Sequence, residues 1–211
     1  MTQSGTNAYD GMSDLPPLVC AAVELARTAQ FPNSCLPQQG ELLRLLAHGV
    51  GPGTIGETGT GYGVGLAWLA SGAHPDTRLV SIESDAGRAA ATADVFHDRP
   101  TVQVHTGDWR ELQAFAPFDL LVLDGGGHGK GTEPPLDPAH WLRTGGLLVI
   151  DDFTPLTSWP PIHAGTVDTA RKYWLDHTQL RATQINITPN QATILATYIG
   201  NQPLADPIHT S

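Results

Sequence analysis

Glu57 stands two residues ahead of three alternate glycines, Gly59, Gly61 and Gly63, in the stretch Thr54–Ala70, TIGETGTGYGVGLAWLA. Glycines reach positive φ without a Cβ penalty and let backbone amides close on a ligand. Thr60 lies between the first two. A helical pattern follows at once, with Val64, Ala67 and Trp68 on one face. The turn is thus completed by unpaired N–H groups and the positive end of a helix dipole, which attract an anionic group. A dinucleotide site asks for Gly-x-Gly-x-x-Gly. Here the third glycine position holds Val64 or Leu66, depending on which glycine begins the count. A carboxylate at Glu57 would also repel a diphosphate and tolerate or attract a cation. A nicotinamide site, or a glycine turn with no ligand, remains the alternative reading.

More acids end strand-like segments. Glu83 closes TRLVSIE, about 20 residues past the glycines, where ribose hydroxyls are met in nucleotide folds. A carboxylate accepts from both hydroxyls of a diol. Ser84 and Asp85 follow and open the next helix as caps. A solvated strand-end acid is the plain alternative for Glu83, and a helix N-cap the plain alternative for Asp108. Asp124 closes FDLLVLD, and Asp151-Asp152 closes LLVIDD. Three carboxylates at adjacent strand ends repel one another unless a cation or protons intervene. Hard oxygen ligands of this kind suit Mg²⁺ or Ca²⁺, which makes Asp124, Asp151 and Asp152 candidate metal ligands. The plain alternative is acids capping loops and helices. Between them runs GGGHGKG, Gly125–Gly131, carrying His128 and Lys130. His128 has a suitable ordinary pKa for a general base, and Lys130 would need desolvation. A solvated loop histidine is the alternative. His163, after Trp159-Pro160-Pro161, is a further candidate on the acceptor side.

The elements that must position these residues alternate along the chain. Met1–Asp14 reads as a mobile leader. Helices are predicted over Leu15–Gln30 and Pro37–His48, ending at Gly49 and Gly51-Pro52-Gly53. Strands are predicted at Thr54–Thr58, Thr77–Glu83, Thr101–Thr106, Phe118–Asp124 and Leu147–Asp151. The helix after Glu83 is predicted to pack through Ala86, Ala89, Ala90, Ala93 and His97. A short helix near Arg110–Phe115 and another at Asp137–Arg143, ended by Gly145-Gly146, fill the later gaps. A helix over Thr166–His177 faces inward through Val167, Ala170 and Trp174. Leu180–Thr188 and Gln191–Ile199 form a hairpin about Pro189-Asn190. Gly200–Ser211 is polar, with 201–211 read as a tail.

The chain has 211 residues, enough for one domain with a sizeable core. Its 40% hydrophobic and 15% charged content argues against general disorder. The formal charge of −10, with two lysines and no basic run, argues against a phosphate backbone as partner, so no nucleic acid is expected. Cys20 and Cys35 make no disulfide framework and read as reduced thiols, Cys20 half-buried on a helix. No signal peptide and no apolar stretch long enough to span a bilayer is visible, so the expected compartment is the cytoplasm and no membrane partner is expected.

The motif order is more specific than any one motif: acid-GxGxG, strand-end Glu83, Gly107-Asp108 after the third strand, strand-end Asp124, and Gly145-Gly146 before a strand ending at Asp151. In this order, from about Leu42 to Ile199, the chain resembles the class I S-adenosylmethionine-dependent methyltransferases. The resemblance implies a doubly wound, Rossmann-like α/β fold. Its seven-stranded mixed sheet has an antiparallel last strand, and extra N-terminal helices precede it. Residues 51–200 would form the methyltransferase domain. Residues 15–50 would cover the cofactor and shape the acceptor pocket, or else simply pack on the sheet edge. The cofactor carries a sulfonium, an ammonium and a carboxylate. Gly59, Thr60, Gly61 and Gly63 would hold the carboxylate, Glu57 and Asp124 the ammonium, and Glu83 with Ser84 the ribose. Asp108 would accept from the adenine amine and Trp109 flank the ring. The acceptor would be a small phenolic or similar molecule, methylated in line, by a monomer or a homodimer.

The strand-four and strand-five acids resemble the catechol and caffeoyl-CoA O-methyltransferase group, where such acids bind a divalent ion. Mg²⁺ there would lower a phenol pKa from about 10. Three places bear on the match to that group. Asp152 stands where the group has Asp or Asn, which is tolerable. Gly127 stands where its catalytic lysine lies. Gly61 and Gly65 stand where its first motif lacks a middle glycine and places a serine. An oxidoreductase using nicotinamide, and a non-catalytic module that keeps the pocket as a sensor, stay as alternatives.

Overall fold

Strands and helices alternate through residues 5–200, the part of the chain that the computed structural model describes. Helices α1 (Pro17–Thr28) and α2 (Pro37–Val50) come first. Then follow β1 (Thr54–Thr58), α3 (Val64–Gly72), β2 (Arg78–Glu83), α4 (Ala86–Val95), β3 (Val102–Thr106), β4 (Phe118–Leu123) and β5 (Leu142–Phe153). A small ribbon, β6 (Ile162–His163) and β7 (Thr166–Val167), precedes α5 (Thr169–Asp176), β8 (Leu180–Thr188) and β9 (Gln191–Tyr198). The main sheet has seven strands in the order β3-β2-β1-β4-β5-β9-β8. The first five are parallel, and β9 runs antiparallel to both β5 and β8. The doubly wound mixed sheet implied by the motif order is the fold observed.

The sheet divides two cores by strand alternation. In β4, Leu120 and Val122 face a core with Val19, Leu43, Leu66 and Trp68, whereas Leu121 and Leu123 face Trp141, Trp174 and Ile194. A strand covered on both faces reads as a continuous apolar run, as FDLLVL does. Strand order reverses between β1 and β4, and ligands of open α/β sheets bind at that point.

Several predicted details differ. Asp137–Arg143 is not a helix: a short 3₁₀ turn, Pro138–His140, ends there, and β5 already begins at Leu142. Gly145-Gly146 lies inside β5, where the register against β4 shifts between Phe118 and Leu120. Helix α4 packs through Ala89, Thr92 and the following Phe96, while Ala86, Ala90, Ala93 and His97 are exposed. Alanines on every side gave a weak period, and the larger side chains set the buried face. Val167 lies in β7 and is 44% exposed, since Asp168 caps α5 only after it. Cys20 is exposed and Cys35 buried, both as free thiols.

The leader is not loose over its described part. Residues Thr6–Tyr9 form a 3₁₀ turn with Thr6 and Tyr9 buried. Thr6 Oγ1 donates to the Phe31 carbonyl at 2.6 Å. Tyr9 Oη donates to the Cys35 carbonyl at 3.0 Å and accepts from Trp68 Nε1 at 2.9 Å. The short polar sequence there hides one aromatic anchor. Tyr9→Phe leaves two buried polar groups without a partner, at about 1–3 kcal/mol. Thermal unfolding should show Tm lowered by roughly 2–4 °C per kcal/mol, and an unchanged Tm would refute the anchor. The predicted tail, 201–211, lies outside the described residues.

Candidate active site

The turn after β1 is built by a close crossing of two segments of the chain. Gly59, at φ 82°, lies so near Gly125 that a Cβ would stand 2.4 Å from the Gly125 Cα. Gly125 N donates to the Thr58 carbonyl at 2.7 Å, and Gly59 N donates to that of Ile82 at 2.9 Å. The ends of β1, β2 and β4 are thus stitched around one crevice. Gly63 serves differently: it begins α3 and packs on Thr92 of α4.

A cavity of about 400 Å³ opens over this turn, within the size range of small-molecule sites. Gly59, Thr60, Gly61, Glu83, Ser84, Asp108, Trp109 and Asp124 all line it. Glu83 accepts from the backbone N–H of Gly61 at 2.8 Å and of Asp85 at 2.9 Å, and from Arg88 at 2.7 Å. Burial raises its pKa, but these donors outweigh burial and hold it below the ordinary value. Asp108 is the helix cap considered for it, placed on the cavity wall. Its carboxylate accepts from Arg110 N, in a capping box with Glu111. Trp109 donates from Nε1 to Glu133 at 3.0 Å.

Two predicted cofactor residues do not line the cavity. Gly63 lies behind the turn. Glu57 lies beneath it, 2% exposed, accepting from Ser81 Oγ at 2.6 Å. Residues missed from the sequence are Phe31, Asn33, Ser34 and Cys35, the link between α1 and α2, together with Tyr62 and Arg88. Phe31 and Tyr62 meet edge-on, with ring centroids 5.2 Å apart. The signal was present in Phe31-Pro32-Asn33, which reads only as a helix break.

The glycine-rich loop runs on to a second cavity of about 280 Å³, lined by Lys130, Asp152, Phe153, His163 and Arg171 among others. Lys130 is an exposed residue whose ammonium donates to the carbonyls of Asp151 and Asp152. His128 lines neither cavity. Its Nδ1 accepts from Lys130 N at 3.0 Å, and burial with the Lys130 charge holds its pKa down to about 4. It stays neutral at pH 7 with one nitrogen engaged, a poor general base. Asp124 and Asp151, both half-buried, lie within electrostatic reach of each other, and desolvation pushes both upward, Asp124 also through the Asp151 charge. Asp151 Oδ1 accepts from Asp152 N at 2.8 Å, and Asp152 has φ 62°. Among the described residues no three His, Cys, Asp or Glu side chains are grouped to hold a metal ion. The three aspartates therefore do not form the cage expected of them.

These acids set a pH dependence. Burial pushes Glu57 up to about 8. An acid that keeps its proton in the fold lowers stability as pH rises from its ordinary to its folded pKa. His128 opposes this only below the ordinary histidine value of 6.5, and Lys130, held down to about 8 by burial, acts only above that. Between about pH 6.5 and 8 the acids act alone, so Tm should fall. Each kcal/mol lost is worth roughly 2–4 °C. A level or rising Tm across that window would contradict the buried, protonated Glu57.

A family model described as a methyltransferase domain matches residues 57–153, from Glu57 to the end of β5. The catechol O-methyltransferase of Mycobacterium tuberculosis (strain ATCC 25618 / H37Rv) is 32% identical over 147 residues, 64% of each chain. That of Niastella koreensis is 31% identical over 150 residues, 64% of this chain and 65% of its own. The chain thus matches a little under two thirds of those relatives' length. The O-methyltransferase TomG of Streptomyces achromogenes, solved with S-adenosylmethionine, shares the fold with a TM-score of 0.68. That likeness covers 95% of this chain and 100% of the other at 22% identity. Among the described residues no helix is long and apolar enough to cross a membrane.

Proposed function

We propose that the chain, which has their fold and matches their core over residues 57–153, is a class I S-adenosylmethionine-dependent methyltransferase of the catechol O-methyltransferase-like group and methylates an oxygen of a small acceptor. The observation that carries this is the single cavity over Gly59–Gly61. It sets backbone amides and a helix start against a held carboxylate, Glu83, with the buried acid Glu57 beneath and the half-buried Asp124 at its wall. Such a cradle suits a ligand with a carboxylate, a diol and a cationic end. A diphosphate would meet Glu83, Asp108 and Asp124 on the cavity wall, which disfavours the nicotinamide reading.

When bound, S-adenosylmethionine supplies a methyl group already activated by its sulfonium. The amides of the turn and the start of α3 hold the methionyl carboxylate. Asp124, on the cavity wall, stands near the ammonium, while Glu57 lies beneath the turn. Glu83 takes the ribose hydroxyls in place of part of its present partners, with Ser84 beside it. Asp108 and Trp109 bound the adenine, and Phe31 with Tyr62 closes the mouth. The remaining task is alignment of the acceptor oxygen and support of its charge. Lys130, on the second cavity, is the residue placed for that. A divalent ion does not fit the residues present: the three aspartates are not grouped, and an ammonium already lies on the β5 carbonyls. No step is derived through one.

The test is transfer of labelled methyl from S-adenosylmethionine to a panel of phenols, alcohols and carboxylates. Label in an O-methyl product, with S-adenosylhomocysteine formed in equal amount, is the expected result. Cofactor binding with no transfer across the panel would support a sensor module instead.

A further inference from the structure

Lys130 is held in place by its loop. Trp174 Nε1 donates to the His128 carbonyl at 2.8 Å, and Leu136 N donates to that of Gly127 at 2.9 Å. Lys130 N donates to His128 Nδ1. The ammonium then sits 4.1 Å from the Phe153 ring centroid and donates to the carbonyls of Asp151 and Asp152, the latter at 3.0 Å. Both partners are neutral oxygens. The carboxylates of Asp124, Asp151 and Asp168 lie within electrostatic reach. Arg171, on the same ring at 5.1 Å, is already committed to Asp168 at 3.1 Å and to Thr154 at 3.1 Å.

We propose that Lys130, resting on the Asp151 and Asp152 carbonyls at the edge of the second cavity, is the resident cation of the acceptor side, and that the acceptor presents one oxygen, as a simple phenol does. The inference rests on the methyltransferase reading above. A divalent ion has six or more oxygen positions and can take both oxygens of a vicinal diol. A lysine ammonium is a compact charge with three N–H donors. Two are spent on the β5 carbonyls, and the third serves one acceptor oxygen. In the reaction the phenol proton leaves to solvent, and Lys130 keeps its own proton while holding the phenolate. The phenolate lone pair forms the O–CH₃ bond as the S–CH₃ bond breaks. That bond's electron pair stays on sulfur, turning the sulfonium into the neutral thioether of S-adenosylhomocysteine.

The experiment compares a 4-substituted phenol with the matching catechol, each in EDTA and in Mg²⁺. It adds a Mn²⁺ titration of the wild-type protein followed by electron paramagnetic resonance, and calorimetry of S-adenosylhomocysteine. The expected results are full activity in EDTA, kcat/KM for the phenol at or above that for the catechol, and a Mn²⁺ spectrum of the free ion. K130M should lose about 100-fold in kcat/KM while S-adenosylhomocysteine affinity holds, and K130R should recover part of it. Activity that EDTA abolishes and Mg²⁺ restores, or tight Mn²⁺ binding by the wild type, would overturn the inference and leave the methyltransferase reading standing. Neither of those readouts depends on a variant folding. No S-adenosylhomocysteine binding and no transfer to either acceptor would remove the methyltransferase reading, and this inference with it.

Discussion

Gly59→Ala should abolish cofactor binding. The new Cβ would stand 2.4 Å from the Gly125 Cα and 2.5 Å from its nitrogen, both backbone atoms that cannot swing aside. The residue would also sit at φ 82°, a left-handed conformation costing about 1–2 kcal/mol outside glycine. The two segments must part, which breaks the Gly125 N–H bond to Thr58 and spoils the amide cradle between Gly59 and Gly61. Calorimetry with S-adenosylhomocysteine should give no measurable heat, an affinity loss beyond about 100-fold, or over ~2.7 kcal/mol. Circular dichroism should still show the mixed α/β signature, because the crossing lies at the sheet's end and outside both cores. Gly131→Ala is the control, since nothing lies within 4 Å of a Cβ there. If Gly59→Ala binds as well as that control, the cradle is misplaced.

Glu83→Gln should weaken the cofactor by about 10–100-fold. Hydrogen bonds to a charged group are each worth about 1.5–3 kcal/mol. The carboxylate fixes the Gly61 amide at 2.8 Å and Arg88 at 2.7 Å, so it both meets the ligand and shapes the turn. Glutamine keeps one acceptor oxygen, brings an N–H₂ where two donors already point, and leaves Arg88 without its charge partner. Glu83→Ala should weaken binding further. Because the donors hold the folded pKa below the ordinary carboxylate value, the Glu83 contribution to binding should be steady near neutral pH and be lost only as acid protonates it. Affinity that is unchanged in Glu83→Gln would leave Glu83 as a structural cap of the β2 end.

Much of this arrangement is written in local pattern. The hairpin of β8 and β9 follows from period-two segments and a Pro189-Asn190 turn, and β1 from the five residues before the glycines. Strand-end acids can be placed from the sequence because a parallel sheet gathers those ends at one edge. What strand position does not give is depth. Glu57 and Asp124 both end strands, yet the alternation of β1 drives Glu57 beneath the turn, while Asp124, one residue past β4, reaches the cavity wall. The roof at residues 31–35 was not legible, because it is fixed by contacts far apart in sequence: Tyr9 with Cys35, Thr6 with Phe31. The missing metal cage was not legible either. Three aspartates on neighbouring strand ends look alike as letters, but Asp152 turns to φ 62° and Lys130 returns along the glycine loop to lie on β5. The glycines of that loop allow either flexibility or a close wrap, and Gly126 passes so close to Trp109 that a Cβ would lie 2.4 Å from its ring.

The cradle's choice of ligand is the point on which the account turns, and calorimetry of the purified protein against S-adenosylhomocysteine and against NADH measures it most directly. One equivalent of S-adenosylhomocysteine should bind with clear heat, and NADH should give none. Heat from NADH with none from S-adenosylhomocysteine would mean that the acids around Gly59 do not exclude a diphosphate.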